Sequence, residues 1–62
     1  VIEVFDNTTA TWERHVITRF GAGQVRLQHR VLQRGRRGGP FWVDEGQPRW
    51  ADLSELHYRR VA

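Results

Sequence analysis

The clearest pattern in the chain runs through QVRLQHRVLQ, residues 24–33. There Val25, Leu27, His29 and Val31 alternate with Gln24, Arg26, Gln28 and Arg30. Successive side chains of a strand point to opposite faces, so this period of two predicts a half-buried strand with an arginine–glutamine outer face. A helix over the same residues, stopped by Gly35, scatters Val25, Leu27, Val31 and Leu32 around the circumference and leaves no apolar stripe. The strand is the better reading. Before it, residues 12–20 (WERHVITRF) are aromatic and β-branched with no glycine or proline, which predicts a second strand. The segment Gly21-Ala22-Gly23 between the two is hairpin punctuation.

The rest of the chain breaks into shorter pieces. Residues 1–5 (VIEVF) predict a strand, and Asp6-Asn7-Thr8-Thr9 carries turn chemistry, since Asp and Asn bond their own main chain. Residues 35–40 (GRRGGP) form a loop, flexible at its glycines and positive at its tip. Phe41-Trp42-Val43 predicts a short strand and residues 44–48 (DEGQP) a turn. Arg49-Trp50-Ala51 continues as a strand. Residues 52–56 (DLSEL) predict one helical turn, because an Asp cap is followed by Glu three residues on and the leucines stand at i and i+3. Residues 57–61 close as a last strand. The expected core is Val16 and Phe20, or their odd neighbours including Ile17, together with Val25, Leu27, Val31, Leu53 and Leu56.

These elements predict an all-β fold in one small domain, residues 1–62. A 62-residue chain buries only about 60% of the surface it exposes when unfolded, so its core is small. There is no cysteine to staple it. The 39% apolar content and three tryptophans suffice for a globular core. No apolar run reaches the length of a membrane span and no signal peptide is visible, so an intracellular protein is expected, in the cytoplasm or at the nucleoid or nucleus. The absence of methionine points to a domain excised from a longer chain, or to a processed product.

Short strands joined by tight turns must curl to cover both sides of a core. Trp12 opening a strand, VITRFGAGQVRLQ (residues 16–28) as a hairpin across a glycine loop, and RWADLSELHYRRV (residues 49–61) as strand, turn and strand together resemble SH3-like barrels of the Tudor, chromo-barrel and integrase C-terminal DNA-binding type. The resemblance is one of element types along most of the chain. It implies a five-stranded barrel with a single helical turn before the last strand. It also implies a binding module, for nucleic acid, methylated tails or other proteins.

Charge sharpens that expectation. All ten basic side chains are arginine, which a GC-rich genome or selection for forked, always-charged donors would each produce. Residues 1–13 carry −3, residues 14–43 carry +7 with no acid, and residues 44–62 carry −1. A one-signed stretch of that length favours an anionic partner. Arg26, Gln28 and Arg30 share the outer face of the third strand. Arg34, Arg36 and Arg37 extend the charge into the loop, and alternation sends one of Phe41 and Trp42 outward. Arginines contact phosphate, an exposed ring (Trp42) stacks on a base, and Gln28 can read a base edge. The expected function is therefore a nucleic-acid-binding module, for DNA or RNA. The alternative is a protein-interaction or oligomerisation domain, which binds an acidic partner or a methylated tail through exposed aromatics.

Catalysis is not expected. Asp52, Ser54 and His57 lie within six residues on one turn, whereas triad members converge from separate elements. Neither GAGQ nor GRRGG has phosphate-loop spacing. His15, His29 and His57 show no metal-ligand spacing, and His29 reads as a core histidine, so neither a metal nor another cofactor is expected.

Overall fold

Six strands and one 3₁₀ turn make up the computed structural model, which describes residues 1–61. In chain order they are β1 (Ile2–Asp6), β2 (Thr11–Phe20), β3 (Gln24–Gln33), β4 (Phe41–Asp44), β5 (Arg49–Asp52), the 3₁₀ turn Leu53–Glu55, and β6 (Tyr58–Arg60). All pairings are antiparallel. The sheet order is β4-β3-β2-β1-β6, with β5 on the same edge of β3 as β4. β5 pairs with Gln24–Leu27 and β4 with Arg30–Gln33, so two short strands divide the length of one long one. The fold is thus all-β, with a lone 3₁₀ turn before the last strand. No pairing joins β5 to β6 among the described residues.

Local chemistry explains the turns. At the end of β1, Asp6 Oδ1 accepts from the Thr8 amide at 2.8 Å. The β2–β3 hairpin turns through Gly21–Gln24, with Gly23 at φ +70°, a conformation that favours glycine. The 3₁₀ turn is capped by Asp52, whose Oδ1 accepts from the Ser54 amide at 3.0 Å and the Ser54 hydroxyl at 2.7 Å. These bonds hold the Asp52 carboxyl below its ordinary pKa.

Directly paired residues of an antiparallel ladder share a face. The pairs Ile2↔His15, Val4↔Glu13, His15↔His29, Ile17↔Leu27 and Val25↔Ala51 therefore define an inner face. Half of it is apolar. Ile2, Val4, Val25 and Leu27 are buried, and Ile17, Ala51, Leu53 and Leu56 pack against them. Leu27, only 1% exposed, sits at the centre. The other half of the face is polar and carries Glu13, His15 and His29.

Several expected core positions differ. Phe20 is 79% exposed, because it ends β2 beside the hairpin turn. Val16 and Val31 are only half-buried. Ile2 and Val4 supply the missing apolar area from β1. Between Ile17 and Arg19 the β2–β3 register shifts, a β-bulge at Thr18, whose hydroxyl donates to the Arg26 carbonyl at 3.3 Å. No helix among the described residues is long and apolar enough to cross a membrane.

Candidate nucleic-acid interface

The outer face of the sheet gathers arginines and aromatic rings. Its members follow from the pairs Glu3↔Arg14, Glu3↔Arg59, Arg14↔Arg30, Arg30↔Asp44 and Leu32↔Trp42. The Arg14 guanidinium lies 4.1 Å from the centroid of the Trp42 ring, and that of Arg59 lies 4.1 Å from the Trp12 ring. Planar guanidinium over an indole face is a favourable cation–π arrangement. Arg59 Nε also donates to Glu3 Oε1 at 2.8 Å. Trp12 packs edge-on with Phe5 and His57, at centroid distances of 5.3 and 5.2 Å. A cavity of about 320 Å³ opens on this surface between Trp12, Arg14, Arg30, Leu32 and Trp42.

The structure divides the arginine row expected on β3. Arg30 Nε donates to Asp44 Oδ1 at 3.0 Å, so its charge is partly offset. Arg26 lies across from Trp50 on β5 and Arg19 on β2. Gln28, between the two, is not a surface residue. It is 7% exposed, and its Nε2 lies within hydrogen-bond distance of the carbonyls of His29, Glu45 and Gly46, at 3.2, 3.3 and 3.1 Å. The β4–β5 turn folds over it, and its amide is committed to holding that turn. Arg26 and Arg30 are thus separated by a buried residue and a covering turn, roughly 13 Å apart along the strand.

Arg34, Arg36 and Arg37 are exposed on the loop after β3, and none of them has an acidic partner among the described residues. At the end of this loop both Phe41 and Trp42 face solvent, at 48% and 40% exposure, where alternation had predicted one ring inward. A Cβ on Gly35 would stand 3.1 Å from the Phe41 ring, so glycine at this position lets the ring close on the loop. Arg14, Arg59 and Trp12 belong to this surface and were not among the expected site residues. The register supplies them, by aligning β2 and β6 with the face of β3 that carries Arg30.

No protein-family model, curated protein or solved structure matches the chain.

Proposed function

We propose that the chain is a non-catalytic, intracellular nucleic-acid-binding module of the SH3-like barrel type. The observation that carries this reading is the set of three exposed, acid-free arginines, Arg34, Arg36 and Arg37, on the loop that leads into β4 and its solvent-facing Trp42 ring. The loop arginines take phosphates. Trp42, with Arg14 over one side of its ring, offers its free edge and face to an unpaired base. Gln28 has no part in base reading, because its amide is used inside the fold. Arg30 contributes at the margin beside Asp44, and Arg26 belongs to a second basic spot with Arg19. The barrel assignment is supported by β5 reaching β6, at the other end of the sheet order, through a single 3₁₀ turn. A titration with duplex and single-stranded DNA and RNA at two salt concentrations tests the reading. Undetectable binding to all four at low salt defeats it.

One observation favours a second reading, a protein-interaction surface. Phe20, Leu32, Phe41, Trp42, Trp50 and Tyr58 are all exposed. The Cα radius of gyration is 12.7 Å, against about 10.6 Å for a compact chain of this length. An acidic protein partner suits such a surface. A methylated tail suits it less, since Arg59 already occupies the face of Trp12 where a methylated cation would rest.

A further inference from the structure

The polar half of the inner face carries a constellation that the sequence spacing hides. His15 and His29 are cross-strand partners, and their rings stack with centroids 4.8 Å apart and planes 21° from parallel. Glu13, two residues before His15, points to the same face. Its Oε2 lies 3.9 Å from His15 Nε2 and 3.4 Å from His29 Nε2. One donor atom from each of Glu13, His15 and His29 falls within 4.8 Å of the others. A tetrahedral ion bound at about 2.0–2.1 Å holds its ligand atoms about 3.4 Å apart, so the carboxylate already stands at nearly the required spacing from both rings.

We propose that Glu13, His15 and His29 form a binding site for a divalent transition-metal ion of the zinc type, with a fourth position open to solvent. Two imidazoles and one carboxylate are the donor set that suits such an ion, and three protein ligands leave one position free.

Two further observations point to a ligand rather than to a self-sufficient polar network. The first is the other side of His29. Its Nδ1 lies 3.2 Å from Glu45 Oε2, so the carboxylate orients the ring with Nε2 toward Glu13. Carboxylate behind imidazole is the outer-shell arrangement that fixes the tautomer of a metal-bound histidine. The second is His15, a polar ring kept at 5% exposure: its Nδ1 is buried without a hydrogen-bond partner, and its other nitrogen, Nε2, is the one that lies toward Glu13. An apolar pair next to Ile17 and Leu27 would continue the core without leaving a polar atom unmatched.

Access is open. A cavity of about 360 Å³ borders the cluster, lined by Val4, Asp6, Glu13, His15 and Arg49 among others. Arg49 opposes a cation here, and the three carboxylates of Asp6, Glu13 and Glu45 outweigh it in formal charge. Glu13, His15 and His29 belong to the opposite face of β2 and β3 from Arg14 and Arg30, and Glu13 and His29 also border the 320 Å³ cavity beside Trp42.

The test is calorimetric titration of the chain with Zn²⁺, with Mg²⁺ as the control, and a thermal scan at increasing Zn²⁺. Expected are 1:1 binding of Zn²⁺, none of Mg²⁺, and a melting midpoint that climbs with the logarithm of Zn²⁺ concentration. Glu45→Gln should weaken Zn²⁺ binding about 10–100-fold, as loss of an outer-shell carboxylate does. His29→Gln and Glu13→Gln should weaken it more, and His57→Gln not at all. If a ligand variant fails to fold by circular dichroism, imidazole nitrogen shifts in the unmodified protein decide instead: Zn²⁺ should move His15 and His29 and leave His57 in place. No heat and no melting shift at about 1 mM Zn²⁺, equal binding by parent and both ligand variants, or a shift confined to His57 each overturns the proposal.

Discussion

The guanidinium of Arg14 on β2 lies over the ring of Trp42 on β4, 4.1 Å from its centroid, although β3 runs between the two strands. Arg14 pairs with Arg30, and Trp42 with Leu32, one step further along the same face of β3. The stack therefore crosses β3 diagonally and fixes an otherwise exposed indole. Fixing the ring in advance reduces the ordering cost of stacking a base on it. Trp42→Ala should lower affinity for single-stranded nucleic acid by about 1–3 kcal/mol, the usual worth of one base–aromatic stack. Duplex binding should change less. Fluorescence-anisotropy titrations with the two substrates check the difference: equal losses on both would mean that Trp42 does not act by stacking on an unpaired base, and no loss on either would place it outside the interface.

Arg36 and Arg37 stand on a glycine loop with no acidic neighbour, so they are free to meet phosphate. Each phosphate contact releases condensed counterion. Replacing both by Ala should reduce the slope of log affinity against log salt by about 0.7–0.9 per lost contact. The loss should be nearly equal for all sequences, since such contacts position rather than specify. The melting temperature should stay that of the parent. An unchanged salt slope would move the interface elsewhere.

Gln28 separates a structural role from a reading role. Its amide lies within hydrogen-bond distance of the carbonyls of Glu45 and Gly46, which fold over it. Gln28→Ala should destabilise the fold by about 1–3 kcal/mol through the unmatched groups it leaves. It should leave base preference unchanged among molecules that remain folded. Chemical denaturation alongside competition binding measures both. Full stability together with altered base preference would show that the side chain faces out.

The alternation in QVRLQHRVLQ identified β3 and its two faces, because period two is a direct imprint of the pleat. What it did not carry was coverage. Gln28 is on the outer face as the pattern implies, yet it is buried, because the turn at Glu45-Gly46 lies on top of it. Alternation reports the side of a sheet and not what crosses over it. The histidines teach the same lesson differently. His15 and His29 are 14 positions apart and look unrelated, but the hairpin register sets them opposite each other. Register depends on where the turn begins and on the bulge at Thr18, and one residue of slip would send both rings to other partners. Phe20 carries no local sign that it ends β2 beside the hairpin turn, where it is 79% exposed.

Leu27 sits at the centre of the apolar half of the inner face, touching the rows from β1, β2 and β5. Leu27→Ala should cost about 2–5 kcal/mol, a large part of what a domain this small has. Phe20→Ser, at a site 79% exposed, should change stability by no more than about 0.5 kcal/mol. Urea denaturation of the two variants beside the parent checks the contrast. Comparable losses would mean that Phe20 is covered, by a second copy or another segment.

Ala10 holds a φ of +54° in the turn between β1 and β2 and is the one described non-glycine residue with positive φ. The left-handed region brings a Cβ against the carbonyl and costs about 1–2 kcal/mol. Glycine removes that strain, and its greater freedom in the unfolded chain returns about 0.5–1 kcal/mol of the gain. Ala10→Gly should therefore stabilise the protein by up to about 1.5 kcal/mol, which raises the melting temperature of a domain this size by about 4–8 °C per kcal/mol. The side-chain hydrogen bond between Thr9 and Thr11, 2.6 Å, flanks the position and should survive the change. A thermal scan decides the matter. A lower midpoint for the glycine variant would mean that the turn relaxes Ala10 out of the left-handed region, and that the register Asp6↔Thr11 which depends on it is not held in solution.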